Sequence, residues 1–326
     1  MSAGDGETDG PSVPGASSEP RALRWPFWLG AALLAVAVAK IPISGLDIWW
    51  HLRTGEALAL SPGWLAHDPF SWTTDGAVWA YKDIGADVLL YLGHLVLGDA
   101  SLSLWPALAV LGIAAAFAQR VRAPSVPAPR VRAPSVPAPS VRAPSVRANG
   151  ARPGAGLPGA PSPRPPDWRW SLLLLAAVVA AMQHRLHARP MLFSHVAFAW
   201  LLVWLPRLQP ADQAPRSRSA LLRAPALIVA LLWVWAWLHR GALIGGVALW
   251  AWTLALATTW WLTRLRGANG PENPGPPRVV WPALVAALAG TGALFATPNG
   301  AALVTTVVAA LGRSDYTGAV DEWAPI

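Results

Sequence analysis

The sequence predicts an all-α, polytopic membrane protein with about seven transmembrane helices, and three observations lead to this fold class. Hydrophobic residues make up 54% of the 326 residues and charged residues only 13%, a balance typical of chains that place their helices in lipid. The chain contains 21 tryptophans, whose indole rings favour the boundary between membrane and water. Apolar segments of spanning length recur along the chain between polar loops.

Composition also excludes several classes of protein. There are no cysteines, which excludes disulfides, thiolate catalysis and cysteine-ligated zinc. The net charge of +8 could indicate nucleic-acid binding, but the chain shows no basic helix and no aromatic–basic platform. We therefore expect membrane lipids, and no nucleic acid, among its partners.

The first 118 residues divide into a polar N-terminal head, 1–20, and a part with two predicted transmembrane segments, 21–118. Residues 1–20 are rich in Gly, Ser and Pro and carry four acidic residues, which predicts a disordered head. Residues 21–118 contain a first transmembrane segment at about 25–43, a polar external loop and a second segment at about 101–118. A cleaved secretory signal is the alternative for the first segment, since 37–39 resembles a cleavage site, but such a signal needs a basic start.

Residues 119–169 form a low-complexity insert. A ten-residue pattern begins at Val121, is repeated from Val131 and is cut short from Val141. Proline at this density blocks helix and strand, which predicts a disordered, Pro/Arg-rich cytoplasmic loop. The simplest interpretation of the repeat is an expansion without a function.

Residues 170–326 contain the remaining transmembrane helices and an external C-terminal segment. The predicted spans are about 170–186, 191–206, 224–239, 241–263 and 279–297. A further apolar stretch, 301–311, is too short to span comfortably.

The orientation depends on residues 84–98, which are apolar but short and carry Asp87 and His94. If this segment lies flat as an interfacial helix in the first external loop, 18 of the 25 Lys and Arg residues fall on the side of the N-terminus. The positive-inside rule then makes that side cytoplasmic. Asp87 and His94 would also be costly in the middle of a bilayer.

In this orientation the polar motifs share the outer face, although no motif was used to choose it. These motifs lie at 45–82, 184–190, 239–240, 298–300 and 321–323. Because all five motifs are predicted on the same side of the membrane, we expect them to form a single site.

Asp47 and His51 are the first candidates for chemistry. They are four residues apart, so on a helix they share one face. An Asp–His pair can orient a base, accept a proton or bind a divalent cation. Helix capping is the structural alternative for Asp47, and an interfacial position is the alternative for His51.

The neighbouring candidates also have two interpretations each. Trp49 and Trp50 could stack on a sugar or anchor the chain at the interface. Arg53 could bind phosphate or stack on Trp49. His67 and Asp68 precede a proline, a pattern that indicates a turn.

Candidate phosphate ligands follow later in the chain. His187, Arg189 and His239 lie where predicted spans end on the outer face, and an arginine can hold a phosphate with two parallel hydrogen bonds. Snorkelling to lipid headgroups is the alternative for Arg189. We expect His195, inside a span, to make an interhelical hydrogen bond. A divalent cation is allowed, but there is no spaced His/Cys metal motif.

These motifs resemble those of bacterial integral-membrane glycosyltransferases of the GT-C type, relatives of polyprenyl-phosphate-sugar transferases and protein O-mannosyltransferases. The similar elements are Asp-x-Trp-Trp-His-Leu-x-Thr-Gly at 47–55, His-Asp-Pro-Phe-Ser-Trp-Thr at 67–73, Arg-Pro-Met-Leu-Phe-Ser at 189–194, Trp-Leu-His-Arg-Gly at 237–241, Pro-Asn-Gly at 298–300 and Glu-Trp-x-Pro at 322–325.

The resemblance implies a donor sugar on polyprenyl phosphate, an acidic base that maps to Asp47, and two interfacial helices in the first external loop. The chain departs from the pattern at Ile48, where many relatives have a second acid, and at 184–190, which contains none. Trp237 and Arg240 depart from the Asn-x-His-Gly element that 237–241 otherwise resembles. Relatives continue beyond the equivalent of Ile326, so we expect a C-terminally truncated version.

The function expected from the resemblance is transfer of a sugar to an acceptor at the outer face. Asp47 would deprotonate the acceptor, and Arg189, His187 and Arg53 would stabilise the leaving phosphate. The alternative is a non-catalytic subunit that binds or assembles lipid-linked glycans. A transporter would call for mid-membrane charges or an inverted repeat, and the sequence shows neither.

Overall fold

The computed structural model describes a subset of the chain. The described residues are 25–43, 47–61, 67, 69–70, 83–122, 168–209, 218–265, 280–298, 300, 304 and 308. The predicted disordered head, most of the 119–169 insert and the acidic motif at 321–323 lie outside them.

Within these residues the regular structure is helical, as predicted. The α-helices are α1 (Trp25–Ala39), α2 (Asp47–Leu60), α3 (Ile84–Leu97), α4 (Ala100–Arg122), α5 (Trp168–Ala181), α6 (Met191–Trp204), α7 (Arg218–Leu238), α8 (Ala242–Leu265) and α9 (Trp281–Phe295). Short 3₁₀ helices follow α5 at Gln183–Arg185 and α6 at Leu205–Leu208.

Three helical segments are long and apolar enough to cross a membrane: Ala100–Val121, Met191–Leu208 and Ala242–Leu265. The apolar helices α1, α3, α5 and α9 have 14 or 15 residues. At ~1.5 Å per residue such a helix rises about 22 Å, less than a hydrocarbon core of ~30 Å. By length and composition, therefore, the described helices establish three candidate spans and not the predicted seven.

The described helices pack around three apolar clusters, the smallest of which joins α2, α3 and α4 through Ile48, Leu90 and Leu102. Phe27, Ala114 and Leu175 belong to the cluster that joins α1, α4 and α5. Leu232 and Leu249 belong to the one that joins α6 to α9. Other large apolar side chains face outward: Leu33, Leu173, Val247, Leu254 and Leu288 are each more than half exposed, as expected of surfaces that contact lipid.

The α2–α3 pair is the most closely packed part of the site's scaffold. A Cβ atom added to Gly55 would lie 2.1 Å from the carbonyl oxygen of Asp87, so only glycine allows the two backbones to approach this closely. A Cβ added to Gly85 would lie 2.9 Å from the carbonyl oxygen of Trp237. The beginning of α3 is therefore wedged between α2 and the end of α7.

Candidate functional site

Asp47 and Arg189 form an ion pair between two distant parts of the chain. Asp47 opens α2, and Arg189 lies just before Pro190 and α6. The Nε atom of Arg189 is 3.0 Å from Oδ1 of Asp47. The proximity of Asp47 and Arg189 expected from the sequence is therefore observed, and it brings the first and second predicted external connections together.

His51 lies one turn beyond Asp47 on α2, between two carboxylates. Its Nδ1 is 2.8 Å from Oδ1 of Asp87, and its Nε2 is 4.0 Å from Oδ2 of Asp47. Because a carboxylate accepts, the Nδ1–H of His51 donates to Asp87. The Nε2 atom is then directed toward Asp47.

Burial and charge act on the His51–Asp87 pair in opposite senses. Burial lowers the pKa of His51, but the hydrogen bond to Asp87 and the charges of Asp87, Asp83 and Asp47 outweigh it and raise the pKa above its usual value. Burial raises the pKa of Asp87, opposed by its hydrogen bond and charge interaction with His51. His51 therefore keeps its second proton to a higher pH than an isolated imidazole would.

A second acid–imidazole contact lies beside the first. Asp83, just before α3, places Oδ1 at 3.9 Å from Nε2 of His239. It also accepts a long hydrogen bond, 3.4 Å, from the backbone N–H of Arg240. Burial raises the pKa of Asp83 to about 6; the charge of Asp87 adds to this, while Arg240 and His51 oppose it.

His239 is fixed by hydrogen bonds from α6 and from its own turn. Its Nδ1 lies 2.6 Å from Oγ of Ser194 and accepts from the Gly241 N–H at 2.9 Å. The Nε1–H of Trp235 donates to the same Ser194 Oγ at 2.7 Å. Because Nδ1 accepts, the neutral ring carries its proton on Nε2, facing Asp83.

His239 is neutral near pH 7. Burial lowers its pKa to about 3, with contributions from the charges of Arg240, His195 and His51. Its Nε2–H is therefore directed toward Asp83, at 3.9 Å, without adding a positive charge to the site.

A small cleft opens beside the Asp47–Arg189 ion pair. Its lining residues are Ile41, Ile43, Asp47, Ile48, Leu102, His187, Ala188 and Arg189. The cleft combines two basic side chains with an apolar wall, and its volume of about 20 Å³ has room for about one water molecule.

The other predicted site residues on α2 lie outside this cluster. Arg53 is two-thirds exposed and pairs with Glu56, neither stacking on Trp49 nor reaching the cleft. Trp49 makes an edge contact with His94, and Trp50 makes one with Phe70. Both indoles are about half exposed, so they can meet a sugar or an interface only from the surface of α2.

Two further predicted site residues lie in the first loop. His67 is exposed, and Asp68 lies outside the described residues. In α6, the predicted interhelical hydrogen bond is made by Ser194, whereas the buried Nδ1 of His195 has no hydrogen-bond partner among the described residues.

Sequence reasoning missed Asp83 and Asp87 as members of the site. Both lie at the start of an apolar helix, four residues apart, the same spacing as Asp47 and His51. A carboxylate in an apolar helix is costly unless it is paired. The two acids in this apolar segment therefore could have been predicted to have partners in the site. In the sequence alone, Asp87 indicates only that 84–98 does not span.

Each carboxylate in the cluster faces a cation or an imidazole. Among the described residues, no group of three or more His, Asp or Glu side chains is arranged to hold a metal ion.

Comparison of the chain with protein-family models, with curated proteins and with solved structures finds no match. The functional inference therefore depends on the motifs and on the geometry of this cluster.

Proposed function

We propose that this protein is a membrane glycosyltransferase of the GT-C type that moves a sugar from a polyprenyl-phosphate donor to an acceptor at the extracytoplasmic face. One observation carries the proposal: Asp47, the residue that matches the family's base, lies 3.0 Å from Arg189 beside a cleft. A base and a phosphate-binding cation are the two groups that this reaction needs in one place.

The proposed topology has about seven spans: α1 and α4 to α9. The helices α2 and α3 lie at the outer surface of a bacterial inner membrane, and the N-terminus is cytoplasmic. Support comes from the connections α1–α2, α2–α3, α5–α6 and α7–α8, whose polar residues meet in one cluster. The short helices α1, α5 and α9 would span with local thinning of the bilayer.

The proposed reaction uses Asp47 as general base. The acceptor hydroxyl gives its proton to the carboxylate of Asp47, and the acceptor oxygen forms a bond with the anomeric carbon of the donor sugar. The bond between that carbon and the phosphate oxygen breaks, and its electron pair stays on the phosphate. Arg189 and His187 stabilise the charge that develops on the leaving phosphate.

The test replaces Asp47 in cells that otherwise lack the gene. Glycan profiles are measured by mass spectrometry for the wild-type chain, Asp47→Asn and the matched control Glu56→Gln, which removes a carboxylate from the same helix. Loss of a general base costs about 10²–10⁴-fold in rate, so the product glycan should vanish in Asp47→Asn only. An undiminished product, with the variant protein at normal abundance, refutes the proposal.

The second candidate function is a non-catalytic subunit that binds lipid-linked glycan. The specific observation in its favour is that Asp47 and Arg189 already neutralise each other. This function predicts that purified protein binds polyprenyl phosphate and that Asp47→Asn leaves the glycan profile unchanged.

A further inference from the structure

We propose that a groove at the end of α8 binds one anionic phospholipid, with an acyl chain in the groove and the lipid phosphate on Arg264. This lipid site is separate from the polar cluster. The helix α8 begins three residues after His239 and rises about 36 Å over its 24 residues, so the groove lies at the far end of α8 from the cluster. Lipid binding there is independent of the proposed glycosyl transfer.

The groove lies between the last turns of α8 and the start of α9. Its lining residues are Ala257, Thr258, Trp260, Trp261 and Val280, and its volume is about 390 Å³, within the range of ~300–1,000 Å³ for small-molecule sites. The described lining offers one hydroxyl group and no charged side chain. The part of a ligand that enters the groove must therefore be apolar.

Arg264 places a cation at the edge of this groove. Its guanidinium carbon lies 5.5 Å from the ring centre of Trp260, a lining residue one turn earlier on α8. A guanidinium group that stacks on an indole face keeps its edge N–H donors for a further partner, and these donors match a phosphate. Arg264 is exposed, and no carboxylate of the described residues pairs with it.

The surroundings of the groove indicate where its ligand comes from. The segment Ala242–Leu265 is apolar and long enough to cross a membrane, and the side chains of Trp261, Leu265 and Trp281 are each more than half exposed. Tryptophans favour the boundary between the hydrocarbon core and the headgroups. An apolar groove with a cation at its edge, placed at this depth, fits an acyl chain and its phosphate.

The charge of this side of the chain favours an anionic headgroup. The regions 119–169, 207–223 and 264–278, which include the connections α4–α5, α6–α7 and α8–α9, contain 16 arginines and three acidic residues. Each arginine near a membrane surface adds about 1 kcal/mol of attraction to anionic lipid. A zwitterionic headgroup has no net charge and gains little from this excess. In the proposed topology these regions are cytoplasmic.

The experiment measures lipid binding to the purified full chain in detergent by native mass spectrometry. The probes are dioleoyl phosphatidylglycerol, which is anionic, and dioleoyl phosphatidylcholine, which has the same acyl chains and no net charge. We expect the first phosphatidylglycerol to bind about fivefold more tightly than phosphatidylcholine. Equal affinities overturn the proposal. Glycerol phosphate, measured in parallel, should bind far more weakly, and equally tight binding of this headgroup alone also overturns the lipid site.

Arg264→Gln tests the cation, with Arg120→Gln as the matched control. Arg120 is also exposed and lies near the end of α4, away from the groove. We expect Arg264→Gln to weaken phosphatidylglycerol binding about fivefold and to leave phosphatidylcholine binding unchanged. Arg120→Gln should change neither affinity by more than about twofold. Equal losses in the two variants indicate general attraction to an arginine-rich surface and contradict a built site.

Thr258→Trp tests the groove, with Thr259→Trp as its control. Both threonines are exposed, but only Thr258 lines the groove. Filling the groove should weaken both lipids about fourfold or more, because each buried CH₂ group lost weakens binding by about that factor. Thr258→Phe provides a second, smaller obstruction, and every variant must match wild type in thermal unfolding. If both Thr258 variants bind lipid as wild type does, the groove holds no acyl chain, as when the α8–α9 connection fills it, and the proposal is wrong.

Discussion

At the scale of single residues, the site depends on two carboxylates held at the start of α3. The side chains of Asp83 and Asp87 are 13% and 9% exposed, and each faces an imidazole. Burying a charge is costly unless a partner compensates. The free energy of unfolding should therefore depend on pH through the same residues that form the site.

Asp83 and His239 should affect stability with opposite dependence on pH. The pKa of Asp83 is raised to about 6, so the folded state binds the extra proton between about pH 4 and 6 and stability is lost as pH rises through this range. The pKa of His239 is lowered to about 3, so its contribution to stability is gained as pH rises from about 3 to 6.5.

The measurement is thermal unfolding in detergent from pH 4 to 6. The unfolding temperature of Asp83→Asn, minus that of wild type, should become more positive as pH rises, because the variant lacks the group whose ionisation is costly. The same difference for His239→Gln should become more negative. Parallel trends in the two variants would contradict the assignment of these pKa values.

Some residue contacts could be predicted from the sequence and others could not. The charge distribution of the loops placed Asp47 and Arg189 on one face, and they are in contact. The pairing of Asp87 with His51 depends on how closely α2 and α3 pack. Local sequence patterns do not predict that distance. Arg53 was a reasonable phosphate ligand by type, but its neighbour Glu56 engages it three residues later on α2.

At the scale of elements, the α2–α3 crossing positions His51 against Asp87. A methyl group added at Gly55 would overlap the Asp87 carbonyl group, at 2.1 Å from its oxygen. Gly55→Ala must therefore separate the two helices, and we expect a loss of roughly 1–3 kcal/mol in the free energy of unfolding. Denaturant or thermal unfolding in detergent measures this loss.

Gly292 in α9 provides the matched control for this substitution. A Cβ atom there meets no heavy atom within 4 Å, so Gly292→Ala should be neutral or gain about 0.5–1 kcal/mol through helix propensity. If Gly55→Ala is as stable as Gly292→Ala, α2 and α3 do not approach each other as described.

At the scale of the whole molecule, the proposed topology can be read by chemical labelling because the chain has no cysteines. Single substitutions Ser61→Cys, Ser217→Cys and Thr297→Cys report on the ends of α2, α7 and α9. With α3 on the outer surface, a membrane-impermeant maleimide should label positions 61 and 297 in intact spheroplasts. Position 217 should react only after permeabilisation.

A spanning α3 gives a different labelling pattern. If position 61 is external and α3 crosses the bilayer, position 217 becomes external and position 297 cytoplasmic. Labelling of position 217 in intact spheroplasts would therefore contradict both the topology and the shared outer face of the site.

The helical fold was predictable from composition, because a long apolar segment in lipid must satisfy its own backbone hydrogen bonds, as an α-helix does. The number of spans was harder to predict. The apolar segment at 25–43 reads as 19 residues, but α1 ends at Ala39, and α5 ends at Ala181 before a 3₁₀ helix at Gln183–Arg185. Hydropathy records apolar composition, whereas the length of a helix depends on where its hydrogen bonding stops.

The ion pair between Asp47 and Arg189 joins residues that leave the ribosome far apart in time. Asp47 emerges with the first helices, while Arg189 and His239 follow only after the proline-rich insert and several further segments. Until then the carboxylates of α2 and α3 lack these partners. The polar cluster is thus completed late in biosynthesis, and nascent chains arrested before α6 would carry an Asp47 carboxylate that still lacks its cationic partner.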